Sequence, residues 1–152
     1  MELLIIVFLL VGLFLGWSLG ANDAANVFGT AVGTRMVRFK TAAIICSVFV
    51  ILGAIISGSG TTETLGKLGS INALPGAFAA CVAAGVSVYI MTKLGLPVST
   101  TQAIVGAIIG WNLYTGSSTN IQVLITILST WLLCPIIAGL IAMLFFVITK
   151  NF

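Results

Sequence analysis

The chain has 152 residues, 60% of them hydrophobic and 6% charged, with a formal net charge of +3. A soluble domain carries about 25% charged residues, so this composition excludes a soluble globular fold and marks an integral membrane protein. There is no histidine, which excludes histidine acid–base catalysis and histidine metal sites. Cys46, Cys81 and Cys134 stand singly in apolar runs, without metal-ligand or redox spacing, and read as small lipid-compatible residues.

The first apolar segment covers residues 3–33. Its start, Met1-Glu2, is acidic, and the run exceeds the roughly 7–15 residues of a signal-peptide core, so it reads as a retained helix. The second segment is 41–57, followed by a polar loop, "GSGTTETLGKLGS" (58–70), holding Glu63 and Lys67. The third is 73–92 and the fourth 97–111. The fifth, 121–149, is interrupted by Pro135.

A straight span needs about 20 residues, so the first and fifth segments are expected to be tilted, kinked or broken, and the short fourth to be a half-helix or part of a re-entrant hairpin. The fold class is therefore all-α, a polytopic bundle with broken or re-entrant helices. Arg35, Arg38, Lys40, Lys67, Lys93 and Lys150 sit at segment ends, which is topology marking and not a nucleic-acid surface. "RMVRFK" (35–40) is the strongest basic cluster and assigns the cytoplasmic side, placing the N-terminus outside. Five crossings then bring Lys150 inside, and an odd count forces any similar second copy into the opposite orientation. Gly12, Gly16 and Gly20, with Gly29 and Gly33, form a small-residue stripe suited to close helix packing.

Two polar constellations interrupt this pattern. In "GANDAANVFGT" (20–30) and just beyond, Asn22, Asp23, Asn26, Gly29, Thr30 and Gly33 share one helical face. A carboxylate at membrane depth costs about 2.5–3.5 kcal/mol, so Asp23 requires a compensating partner. Carboxylate and amide oxygens suit a hard cation such as Na⁺. The plainer alternative is that Asp23 caps a helix after a break at Gly20 while the asparagines bond neighbouring helices.

The second constellation is "LGLPVSTTQAIVG" (94–106). Pro97 disfavours helix before it, and Ser99 with Gln102 has capping-box spacing, so a helix is expected to begin at Ser99. Hydroxyls on Ser99, Thr100 and Thr101 beside free backbone N–H groups make an anion site, although capping alone accounts for the spacing.

"GANDAANVFGTAVGT" and "GLPVSTTQAIVGAIIG" together resemble the signatures of the inorganic phosphate transporter (PiT) family of sodium–phosphate symporters. The resemblance covers the chain in order and implies one half of an inverted-repeat transporter. Family members carry two such copies, with phosphate and sodium bound between them near the membrane centre. By position, Asn22, Asp23 and Asn26 belong to the sodium-binding part, and Ser99, Thr100, Thr101 and Gln102 to the phosphate-binding hairpin or broken helix. Each signature occurs once here, so the chain looks like a single half: a fragment, a split subunit or a self-pairing unit of residues 1–152.

The function so implied is sodium-coupled phosphate symport by alternating access, in a cell membrane. It involves no enzyme chemistry, and its only cofactor is the coupling ion. The implied partners are phosphate, sodium, the bilayer and a second inverted half-repeat; homo-oligomerisation stays open. Neither motif contains Lys or Arg, and a helix N-terminus offers only about +0.5 charge, so bound cations must balance the anion. Two alternatives remain: a proton-coupled phosphate or sulfate permease, and a non-transporting assembly subunit or pore.

Overall fold

A computed structural model describes residues 2–69 and 74–150. It is all-helical there, with α1 Glu2–Gly33, α2 Phe39–Leu68, α3 Leu74–Lys93, α4 Thr100–Thr115 and α5 Ile121–Lys150. Ala73, the expected start of the third segment, and Ser70, the end of the expected polar loop, lie outside the described residues.

Helix α1 runs unbroken through Gly20 for 32 residues, about 48 Å at 1.5 Å per residue. Glycine costs a helix about 1 kcal/mol, whereas each backbone group left unpaired in lipid costs several. The helix therefore continues, and Asp23 caps nothing. At that length α1 is longer than the roughly 30 Å hydrocarbon core. Helix α5 likewise continues through Pro135 for 30 residues.

The expected polar loop after residue 57 is helical as far as Leu68, which extends the second segment from 41–57 to Phe39–Leu68. Several of its polar groups are satisfied within the helix. The Thr62 hydroxyl donates to the Gly58 carbonyl at 3.0 Å and the Thr64 hydroxyl to the Gly60 carbonyl at 2.9 Å. Lys67 pairs with Glu63 one turn earlier, on the exposed face. Hydroxyls returned to their own helix do not announce a loop.

The fourth segment also shifts, from 97–111 to Thr100–Thr115, and its 16 residues span only about 24 Å. Four helices, α1, α2, α3 and α5, are long and apolar enough to cross a membrane. At 16 residues α4 falls short of a straight span, as expected of the fourth segment.

Contacts along α1 and α3 rise together in number: Phe8 meets Phe78 edge-on at 5.0 Å, the Ser18 hydroxyl donates to the Gly85 carbonyl at 3.4 Å, and Asn22 reaches Thr92 at 2.8 Å. The two helices are thus parallel and in register. Their seam is closest at Gly85, where a Cβ would lie 2.8 Å from the Phe14 ring. In contrast, the stripe of Gly12, Gly16, Gly20, Gly29 and Gly33 meets nothing within 4 Å in this chain.

Helix α3 ends beside Asn22, leaving roughly 16 Å of α1 beyond it, and α4 returns along α3. The two form a hairpin whose turn, residues 94–99, sits against the side of α1. Leu68, Ala80, Val105 and Ile108 form the buried core, joined by Leu124, Ile127 and Trp131 of α5. The accessible surface is 10992 Å², against about 7,300 Å² for a compact soluble monomer of this mass. Helix α5 buries none of its described residues fully. Such a surface requires lipid or further protein around it.

Candidate functional site

The hairpin turn and the middle of α1 enclose an open cleft of about 770 Å³, lined by Asp23 and Asn26 of α1, Ser87 and Met91 of α3, and Ser99 and Gln102 at the start of α4. Two polar constellations about 76 residues apart in sequence therefore meet on one surface. The half-buried Asp23 carboxylate makes no hydrogen bond or ion pair among the described residues. Asn26 uses its Nδ2 to donate to Asn22 Oδ1 at 3.5 Å, which leaves its own oxygen as the uncommitted acceptor on the cleft.

Across the cleft, α4 begins as its sequence requires. Ser99 has extended backbone angles (φ −88, ψ 120), and its Oγ accepts from the Gln102 N–H at 3.3 Å. The reciprocal bond of a capping box, from the Gln102 side chain, is absent among the described residues, and that side chain lines the cleft instead. A serine hydroxyl donates one hydrogen bond while accepting two, so capping leaves its proton free for a ligand. The backbone N–H groups of Thr100 and Thr101 have no intrahelical acceptor, as for any first turn, and carry the positive end of the helix dipole.

The remaining expected residues lie elsewhere. Asn22, 4% exposed, is behind the cleft and bonds the hairpin turn. Thr100 is 1% exposed, and its Oγ1 has no partner among the described residues. Thr101 opens on a second hollow of about 360 Å³, shared with Ser57, Thr61 and Thr64 of α2. Four of the seven expected residues, Asp23, Asn26, Ser99 and Gln102, thus share the cleft. Sequence reasoning did not single out Ser87, Met91 or Thr92. Their helical pattern is that of any packed apolar helix, and only contact with α1 distinguishes them.

An oxygen-donor set for a hard cation and a hydroxyl-plus-N–H set for an anion occupy one cleft, so the arrangement suits ligands of opposite charge bound side by side. Fold and cleft define a polytopic α-helical membrane protein. The chain belongs to the phosphate transporter family, PHO4, whose profile matches residues 19–152.

A Pyrococcus furiosus protein with the provisional name phosphate permease PF1020 is 37% identical over 94% of this chain and 37% of its own length. The chloroplastic inorganic phosphate transporter 2-1 of Arabidopsis thaliana is 31% identical over 95% of this chain and 26% of its own length. The solved structure of a protein named the sodium-dependent phosphate transporter superposes with a TM-score of 0.80 at 34% identity, covering 92% of this chain and 37% of that one. The chain thus spans between about a quarter and two fifths of the length of these relatives.

Proposed function

We propose that this chain forms one half of a carrier that moves inorganic phosphate across a membrane together with sodium ions. The observation that carries this reading is the meeting of Asp23 and Asn26 with Ser99 and Gln102 on one cleft. Asp23 and Asn26 supply oxygens to the cation. Ser99, the first-turn N–H groups of α4 and Gln102 receive the anion, with Thr100 and Thr101 beneath and beside them. No Lys or Arg lines the cleft, and one helix N-terminus contributes only roughly +0.5 charge. Phosphate binding without a cation is therefore unfavourable, and that dependence couples the two fluxes. The likeness to a solved protein named for its sodium dependence supports the choice of ion.

The cleft is completed by a second, inverted unit packed over the open side, which is one reason for the large exposed surface. Helices α1, α2 and α5 cross, while α3 and α4 enter and leave as a hairpin. The crossing count stays odd, so Lys150 returns to the side of Arg35, Arg38 and Lys40, inside a cell membrane with the N-terminus outside. Alternating access follows from one unit rocking against the other around the shared site.

The test is phosphate uptake into vesicles carrying the complete carrier under an imposed sodium gradient. Uptake is expected to be saturable and to vanish when potassium replaces sodium. Uptake driven equally by a proton gradient without sodium would overturn the coupling, and absence of saturable phosphate uptake would overturn the substrate.

A further inference from the structure

Asn22 stands among the residues expected to ligate sodium, yet its amide is already committed. Nδ2 donates to Thr92 Oγ1 at 2.8 Å and to the Leu96 carbonyl at 3.4 Å. Oδ1 accepts from the Val98 N–H at 3.0 Å and from Asn26 Nδ2 at 3.5 Å. A side-chain amide has two donors and two acceptor lone pairs, and all four are used. Thr92 extends the chain of bonds by donating to the Val88 carbonyl at 2.8 Å. The group is 4% exposed and ties α1 to the end of α3, to the turn and to the residue before Ser99.

We propose that Asn22 is a positioning residue: it fixes the hairpin turn that presents Ser99 against the α1 segment that presents Asp23, so the anion and cation groups keep one spacing as the site turns between membrane faces. Buried, mutually satisfied hydrogen bonds of this kind rigidify what they join. The first half of the turn is tied back to α3, with the Leu94, Gly95 and Leu96 N–H groups donating to the Ile90, Thr92 and Met91 carbonyls. Beyond it, Asn22 adds the bonds that tie the turn to α1, at the Leu96 carbonyl and the Val98 N–H. Asp23, one residue further along α1, inherits a fixed distance to Ser99. Asn22 therefore acts on phosphate through Ser99 and α4 without touching it. The proposal rests on the phosphate reading above for its transport consequences only; the strut itself is a property of the fold.

Three variants of the complete carrier separate a strut from a ligand. Thr92→Val removes the acceptor of the 2.8 Å bond without changing any group on the cleft. Asn22→Ala removes the whole junction. Asn22→Asp keeps oxygen ligands and the acceptor for Val98 but loses both donors and sets a carboxylate against the Leu96 carbonyl. Two readouts are taken: amide hydrogen exchange across residues 94–99 without any ligand, and phosphate and sodium dependence of uptake.

With one hydrogen bond worth about 1 kcal/mol, all three variants are expected to speed exchange across the turn. All three should also raise the phosphate KM about three- to tenfold, with the sodium KM changed less than twofold. Asn22→Ala combined with Thr92→Val should be no worse than Asn22→Ala alone, since both break one junction. A silent Thr92→Val, together with Asn22→Ala weakening sodium dependence and Asn22→Asp restoring it, would make Asn22 a ligand and overturn the proposal. Unchanged exchange in all three variants would also overturn it. If the parent carries no phosphate, the substrate reading fails while the exchange comparison still decides the strut.

Discussion

Ser99 serves two expected purposes, helix cap and anion donor, and a graded series of substitutions separates them. Its Oγ accepts a 3.3 Å bond from the Gln102 N–H. Replacing a capping serine by alanine costs about 1 kcal/mol, by glycine a few tenths, and by aspartate or asparagine almost nothing. In thermal unfolding of the detergent-solubilised carrier, Ser99→Ala should therefore be mildly destabilised and Ser99→Asp indistinguishable from the parent.

Phosphate binding should follow a different order. A hydrogen bond to a charged group contributes about 1.5–3 kcal/mol, so Ser99→Ala should weaken phosphate about 10- to 100-fold, more than its cap term alone predicts. A carboxylate at residue 99, about 4 Å from the anion, adds repulsion of about 4 kcal/mol at an effective dielectric constant of 20. Ser99→Asp should thus remain folded while losing phosphate roughly 1,000-fold, and neutral Ser99→Asn should fall between the two. The assay is calorimetric or filter-binding titration of phosphate in saturating sodium, read beside the melting curves. A Ser99→Asp carrier that binds phosphate with parental affinity would refute the placement of the anion at the start of α4.

Asp23→Asn keeps the shape of the carboxylate while removing its charge. Sodium-driven phosphate uptake should collapse with membrane insertion unchanged, as read by vesicle flux beside expression level. Thr100→Val replaces a buried hydroxyl that has no partner among the described residues. The ligand-free protein should be stabilised by about 1 kcal/mol, since an unsatisfied buried polar group costs about that or more, while phosphate affinity should fall if the hydroxyl turns toward the ligand on binding. Gly85→Ala places a Cβ 2.8 Å from the Phe14 ring and should lower the melting temperature by an overpacking cost of about 1–3 kcal/mol. Engineered cysteines beside Asp23 and Ser99 should cross-link to the matching motifs of the inverted unit. Full phosphate affinity in purified monomers of residues 1–152 would argue against that unit.

The amino-acid sequence by itself established membrane residence, the all-helical class, the start of α4 at Ser99 and the two polar constellations, Asn22 to Asn26 and Ser99 to Gln102. Each depends on terms that are local or additive along the chain: apolar transfer summed over a segment, the 3.6-residue helical period, and a cap bond reaching three residues. Tertiary structure decided which of those residues share a cleft. Thr101 faces α2 and Thr100 is buried, although neighbouring hydroxyls read alike in sequence.

Tertiary structure also decided that α4 is the short return arm of a hairpin and that residues 58–68 continue a helix. There, hydroxyls bonding back to carbonyls four residues earlier remove the penalty that polarity would otherwise signal. Above all, it decided the bonding of Asn22. Whether its amide is free or committed depends on Thr92, Leu96 and Val98, 70 to 76 residues away. No periodicity or local propensity reaches that far; only packing α1 parallel to α3 brings the amide and the turn within hydrogen-bonding distance.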